Sequence, residues 1–429
     1  MRVQSDPRRQ NGKTLITRRR FLLGAAGVGA AVAVAAGANA YVSSERERNA
    51  IQTLKVPAAN VFTNEDCSEG DLASAFALEG EYTLPFGSLV FCTDDDIACC
   101  LTATAEASPL VQVETMALST GKQQTVLDQA VGAGNGFEIY DARATSQGIV
   151  WTEADIFAGT WNIYCAALSN GGGMGTARLV DSGDSAVQTP SIGAVGPKCF
   201  WTIMPPSDAD DATTGTAQLK AASFSSGSAD VVWEGRGRMA CGLYSASDGV
   251  VIAPRHPQST RYYQLLHVEA DSGSVDDSLT LPSGMKPVEI GWGANGFSFC
   301  FESIYNYGDG IANLGTYTPA RPNSGYVDAS WFRFGRTPFA APAWCGSDWF
   351  IVKSTTVVSA IDPATKTYVS FGSVDGATSW GDYLATSGTR DRIVTYATVD
   401  KTLSDGTTEQ RVDVRVWKPA SKAARTADG

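Results

Sequence analysis

A four-stranded unit that returns every 42–53 residues constrains this chain more than any other feature. Each copy opens with a short strand of small residues and a turn bearing Gly or Asp. A strongly apolar strand follows, then a variable loop, a third strand, a turn and a fourth strand. The first copy reads Ser88–Thr93, Ile97–Thr102, Val111–Leu118 and Thr125–Leu127, and the second Phe137–Tyr140, Gly148–Thr152, Trp161–Ala166 and Ala177–Val180. The third reads Pro190–Val195, Cys199–Ile203, Gln218–Ala222 and Val231–Trp233, and the fourth Met239–Leu243, Gly249–Ile252, Tyr263–Val268 and Ser278–Leu281. Copies five and six begin at Val288 and Phe339 and end on Trp331–Phe334 and Tyr368–Phe371. Copy seven has only Tyr383–Thr386, Arg392–Tyr396 and Gln410–Trp417. A four-stranded sheet cannot hide its edges alone, and repeating it radially solves that problem. The pattern predicts an all-β, seven-bladed β-propeller over residues 54–419, closed by an N-terminal strand, with Leu54–Phe62 supplying the edge that copy seven lacks. Gly193, Ala194, Gly242, Ala340 and Ala341 suit the crowded innermost strands. Asp71–Leu78 reads as a short helix, 41–53 as a polar linker and 420–429 as a disordered tail.

The amino terminus reads as an address. Thr17-Arg-Arg-Arg-Phe-Leu opens an uncharged run from Phe21 to Ala40 that ends in Ala38-Asn39-Ala40. Paired arginines (Arg18, Arg19) before Phe-Leu, a weakly apolar helical run and a small-x-small cleavage site describe a twin-arginine (Tat) signal, with Ala38 and Ala40 at the cut. The reading predicts export by the Tat translocase, outside the cytoplasmic membrane, in the cell envelope or secreted. The membrane is engaged only through this segment, as a cleaved signal or a retained anchor. Without residues 1–40 the chain keeps 26 basic and 44 acidic residues. A polyanion gains nothing by displacing counterions from phosphate backbones, which excludes nucleic acid as a partner.

Nine cysteines show no metal-ligand spacing, and only His256 and His267 accompany them, so no zinc site is expected. Most sit in apolar strands as small core residues; the exception is Cys92, which a short hairpin could bring close to Cys99 or Cys100 as a candidate disulfide. No cofactor is called for. Asp94–Asp96 and Asp208, Asp210 and Asp211 are the places where Ca²⁺ would find carboxylates, without the EF-hand pattern.

In the propeller register, loops between second and third strands and the crossings between copies share one face. They carry Glu153, Asp155, Arg236, Arg238, Arg255, His256, Arg261, Tyr262, Lys286, Tyr305, Tyr307, Asp309, Arg336 and Trp380. Of these, Arg238, Arg255, Tyr305, Tyr307, Asp309, Arg336 and Trp380 are the expected ligand contacts for a sugar, peptide or cell-wall fragment. His256 is the candidate general base, and Glu153 with Asp155 the candidate acid–base pair for glycoside chemistry. His267 alternates inside Leu265-Leu-His-Val as a strand residue, and Gly291–Gly296 joins two strands rather than opening a helix, which excludes a dinucleotide loop. The expected function is an exported binding or scaffolding module for a polar small ligand or an envelope protein partner. The alternative is an extracytoplasmic hydrolase or lyase acting on a carbohydrate, lactone or peptide.

Signal, linker and copies together resemble a family of Tat-exported β-propeller proteins from anaerobic actinobacteria. The segments that carry the resemblance are Phe137-Glu-Ile-Tyr-Asp-Ala-Arg-Ala-Thr-Ser, Gly148-Ile-Val-Trp-Thr-Glu-Ala-Asp, Gly310-Ile-Ala-Asn-Leu-Gly-Thr-Tyr and Ala343-Trp-Cys-Gly. The resemblance implies address and fold, and nothing about chemistry.

Overall fold

A computed structural model describes residues 51–420 apart from 106–108, 170–171, 302–305, 309, 313–314, 321–325, 327–328, 336–339 and 354, and without the side chains of 306–308 and 312. Arg18, Arg19, Ala38, Ala40, Tyr305, Asp309 and Arg336 therefore lie outside the described residues, as does the Tyr307 side chain.

The described chain is all-β, a propeller-like ring of antiparallel sheets with almost no helix. Sheet 1 holds Leu89–Phe91, Ile97–Ala103, Val111–Ala117 and Gln123–Leu127; sheet 2 Glu138–Thr145, Gly148–Asp155, Thr160–Ser169 and Arg178–Gly183. Sheet 3 holds Ile192–Val195, Lys198–Ile203, Thr216–Ser223 and Ala229–Arg236; sheet 4 Tyr244–Ser245, Gly249–Ile252, Ser259–Glu269 and Val275–Thr280. Sheet 5 holds Glu289–Gly293, Gly296–Phe301, Gly315–Pro319 and Trp331–Phe334; sheet 6 Ala343–Cys345, Trp349–Lys353, Val358–Asp362 and Thr367–Phe371. Sheet 7 holds Tyr383–Leu384, Ile393–Thr402, Thr408–Pro419 and, on its outer edge, Phe76–Pro85. Each sheet packs on the next, and sheet 7 packs on sheet 1.

Both faces of the second strands are covered, which explains their unbroken apolar runs. In Ile149-Val150-Trp151, Ile149 and Trp151 enter the cluster shared with sheet 1, while Val150 enters the cluster shared with sheet 3. Every junction between successive sheets holds such a cluster, from Cys99 and Ile139 around to Val416 and Val90. Trp151, Trp201, Trp331 and Trp344 are fully buried wedges, and truncating one to Ala should cost about 3–5 kcal/mol.

The ends of the ring correct two expectations. Leu54–Phe62 does not pair with Gln410–Trp417. Phe76–Pro85 does, in antiparallel register from Phe76↔Pro419 to Pro85↔Arg411. The expected helix survives only as Leu72–Ala75, capped by the Asp71 carboxylate accepting from Ser74 N at 2.9 Å. Helix propensity in Leu-Ala-Ser-Ala-Phe-Ala-Leu yields to a long edge that needs a partner, and Pro57 weakens the rival segment as a ladder donor. A closing strand must also feed sheet 1 directly; Pro85 stands four residues before Leu89, whereas Phe62 is far upstream.

Residues 54–69 instead form a strap along the outer edges. Leu54 N donates to Thr280 O of sheet 4 at 2.7 Å, Val61–Thr63 adds a parallel strand to Trp331–Arg333, and Ser68–Glu69 pairs with Thr367–Tyr368. The innermost strand of sheet 4 is Tyr244–Ser245, one turn later than the expected Met239–Leu243.

All nine cysteines are free thiols. Val90↔Cys100 and Phe91↔Cys99 are the paired positions, which leaves Cys92 beyond the hairpin, its thiol donating to Asp94 O at 3.2 Å. Burial pushes Cys92 and Cys99 up to about 12, so neither is a ready nucleophile.

Candidate functional site

Antiparallel alternation gives the ring two unlike faces. One carries the first-to-second and third-to-fourth turns and is called here the turn face. The other carries the second-to-third loops and the crossings between sheets, and is called the loop face.

The turn face is stitched together. Asp94 Oδ2 accepts from Ser146 N (2.9 Å) and Oγ (3.0 Å), and Thr145 Oγ1 donates to Gly196 O at 2.7 Å. From sheet 7 the segment Ala385–Arg390 enters the axis of the ring. It exchanges backbone bonds with Cys92 of sheet 1, and Ser387 Oγ donates to Ser245 O of sheet 4 at 2.7 Å. Gly388 N donates to Tyr244 Oη at 2.7 Å, and Thr389–Arg390 pairs in parallel with Trp344–Cys345 of sheet 6. Gly388 has φ +78°, and a Cβ there would lie 2.9 Å from the Ala246 carbonyl carbon, so only glycine fits. Arg390 donates from Nε to Ser387 O (3.0 Å) and from Nη2 to Ala246 O (3.3 Å), and faces Asp95 at 3.8 Å. His267, wholly buried, lies between Asp276 (Nδ1, 2.6 Å) and Asp248 (Nε2, 3.2 Å) and stacks on Trp292 at 4.4 Å. Burial alone would lower its imidazole; the two carboxylates outweigh burial and raise it. A Cβ at Gly249 would sit 2.7 Å from Nε2, so the glycine makes room for the ring.

The loop face differs over sheets 3, 4 and 5. Arg236, Arg238, Arg255 and Lys286 gather there, and among the described residues none has a carboxylate within ion-pair distance. Arg143, Arg390, Arg392, Arg411 and Arg415 each have one. Arg238 is held by Pro205 O at 2.7 Å and by the Gln188 amide oxygen. Arg255 donates to Thr260 O and lies 4.9 Å over the Tyr263 ring, while its buried Nε–H has no acceptor among the described residues. Desolvation, helped by Arg255 and opposed by Tyr263 and Asp208, lowers Arg238; desolvation, helped by Arg238 and Arg255 and opposed by Cys241, lowers Lys286. A groove of about 590 Å³ runs beside them, lined by Thr214, Thr216, Trp233, Glu234, Arg236, Arg255 and Gln264, with the Glu234 carboxylate accepting from Gln218 Nε2 at 2.8 Å.

At the inner end of this cluster stands Glu289, first residue of the innermost strand of sheet 5. Desolvation raises its carboxyl to about 7, and its charge is felt by the half-buried Cys241 thiol, which Lys286 also faces. The apolar strand pattern Val288-Glu-Ile-Gly-Trp concealed it from sequence reasoning. The signal was a lone acid at the start of an otherwise apolar strand.

The remaining expected residues sit elsewhere. Glu153 is buried and saturated: it accepts from Val131 N (2.6 Å), Gly132 N (2.9 Å) and Trp151 Nε1 (2.9 Å), clamping the crossing from sheet 1. Asp155 caps its own turn through Phe157 N and Ala158 N. Both belong to sheet 2, away from His256, whose Nδ1 accepts from Gln258 N at 3.2 Å and whose imidazole burial lowers. His256 neighbours Arg255 on the short ribbon Arg255–His256. Trp380 lies in the crossing from sheet 6, its carbonyl accepting from the buried Lys353 Nζ at 2.9 Å. Burial lowers that lysine to about 8. Asp94 Oδ1 is taken by Asp96 N and Ile97 N, and the described residues contain no group of three or more His, Cys, Asp or Glu placed to hold a metal.

No protein-family model matches the chain, nor does any curated protein. Solved structures similar to the ring include TolB from Acinetobacter baumannii, at 12% identity and TM-score 0.37, over 76% of this chain and 67% of that one. A puromycin hydrolase is similar at 12% identity and TM-score 0.45, over 83% of this chain and 55% of that one. So is an α-L-arabinanase from Penicillium chrysogenum, at 13% identity and TM-score 0.36, over 82% and 96%. The likeness is one of fold, and no ligand or reaction follows from it.

Proposed function

We propose that the chain is a Tat-exported, seven-bladed β-propeller that binds a small anionic ligand on its loop face, over sheets 3, 4 and 5. The unpaired cluster Arg236, Arg238, Arg255 and Lys286 carries this reading. Like charges held together with no carboxylate in ion-pair contact repel one another, and an anion relieves that repulsion while filling donors such as Arg255 Nε. Arginine suits the planar, bidentate recognition of carboxylate, sulfate or phosphate. The ligand class is a polar sugar or peptide fragment bearing such a group. Thermal-shift and calorimetric screening of the purified chain should find acidic sugars and peptide carboxylates ahead of their neutral counterparts. Arg255→Ala and Arg238→Ala should each weaken binding about tenfold or more. Neutral analogues binding equally well, or an indifferent Arg255→Ala, would end the reading.

The hydrolase or lyase alternative has one observation in its favour, the Glu289 carboxyl, which desolvation raises to about 7 and which shares the Cys241 thiol as a neighbour with Lys286. It predicts turnover with a pH profile inflecting near 7 that Glu289→Gln abolishes, whereas a binding module shows none.

A further inference from the structure

The loop face carries a second surface, over sheets 1 and 2. The hairpin joining Gly148–Asp155 to Thr160–Ser169 presents Phe157 at 104% exposure and Ile156 at 62%; Val131, in the preceding crossing, is 53% exposed. The turn that carries Ile156 and Phe157 is fixed by backbone hydrogen bonds. Asp155 Oδ1 accepts from Phe157 N (2.9 Å) and Ala158 N (3.0 Å), and Gly159 N closes the turn on Asp155 O at 2.8 Å. The saturated Glu153 fixes Val131 against the same hairpin. Exposed Leu110 and Phe86 continue the arc over sheet 1 and its junction with sheet 7. Four of the other exposed large apolar residues, Leu78, Leu179, Val231 and Val275, lie on outermost strands instead, so this clustering belongs to the loops.

Charge says what would cover it. The loop-face ends of sheets 1 and 2 carry Asp128, Glu138 and Asp155, while the two basic residues between 56 and 177 stand apart from the arc, Lys122 in the turn-face hairpin before Gln123 and Arg143 on the first strand of sheet 2, paired with Asp141. An acidic surround does not attract anionic lipid, and it disfavours another acidic surface. We propose that this arc docks a protein partner whose contact segment carries apolar side chains among lysines and arginines, with Phe157 and Ile156 as its anchors. The surface is separate from the cationic groove and does not depend on that groove's ligand.

The test is selection of displayed random peptides on the full chain, followed by anisotropy with the enriched peptides against wild type and the Ile156→Ser/Phe157→Ser double variant. Both side chains are solvent-exposed, so the variant's melting curve should match wild type and certify its fold. Enriched sequences should be net positive with apolar residues, and the double variant should bind them at least about tenfold more weakly. Added salt should weaken wild-type binding as well. Enrichment of acidic or uncharged sequences, or of none that depends on Phe157, overturns the proposal. Sedimentation that shows wild type self-associating through this hairpin, and the double variant monomeric, also overturns it in favour of a second copy.

Discussion

The two faces of the ring are made from the same repeat and treat charge in opposite ways. On the turn face, polar groups find protein partners: Asp94 four donors, His267 two carboxylates, Arg390 two carbonyls and Asp95. On the loop face, four cations have no carboxylate within ion-pair distance among the described residues, and Phe157 is fully exposed. A face that satisfies itself holds the ring shut, and a face that leaves groups unpaired is free to meet something else. The contrast predicts that substitutions on the turn face cost stability, while those on the loop face cost binding.

The largest effect should come from the axial segment. Arg390→Ala removes the cation that ties Ser387, Ala246 and Asp95 together and leaves buried carbonyls short of donors. It should destabilise by about 3 kcal/mol in urea titration. A loss below about 0.5 kcal/mol would show that sheets 1, 4 and 6 hold without the strut.

His267→Gln should come next, at about 2 kcal/mol, and with a pH signature. The folded imidazole is raised above its unfolded value of about 6.5, so its contribution is fully present below that pH. It is lost as pH rises through the folded value. Melting temperatures of wild type and variant should therefore differ most in acid and converge in alkali. A constant gap would assign the residue to packing on Trp292 alone.

How much of this was legible follows from what repeats. Second strands stand out because both their faces are buried, and Ile149-Val150-Trp151 cannot be anything but interior. The closing strand was misassigned because Leu54–Phe62 and Phe76–Pro85 are both able to form strands. Only pairing length and the short crossing into Leu89 choose between them. The residues that make the loop face distinctive were half visible. Arg238 and Arg255 sit in loops and declare themselves, but their lack of acids is a three-dimensional fact. Glu289 sits in an apolar strand, and nothing in the sequence around Phe157 marks it as exposed, because its exposure depends on how the hairpin projects from sheet 2.

Glu289→Gln should move stability the other way. An acid raised to about 7 when folded, against about 4.3 unfolded, leaves the two states equal below about pH 4. As pH climbs from there to about 7, the unfolded chain releases its proton more readily and the native state loses ground. The glutamine is exempt, so the variant should gain on wild type across that window, by about 1 kcal/mol once partial exposure is discounted. No gain at pH 7.5 to 8, roughly a unit above the folded value, would mean that the carboxylate is already compensated by Lys286 or Arg238.

The smallest stability effect, and the most discriminating, is Arg255→Gln. If the residue were structural, like Arg390, removing its charge would destabilise by several kcal/mol. It makes one backbone contact, to Thr260 O, and a cation–π contact with Tyr263, which together offer about 1 kcal/mol. Against this stands repulsion from Arg238 and Lys286, which the substitution relieves. The two should nearly cancel, leaving a change within about 0.5 kcal/mol that drifts towards stabilisation as salt is lowered, because screening no longer hides the repulsion. Anion binding should fall at the same time. Stability unmoved and binding lost separates a side chain kept for a ligand from one kept for the fold, and destabilisation that grows at low salt would place Arg255 among the stitches of the ring.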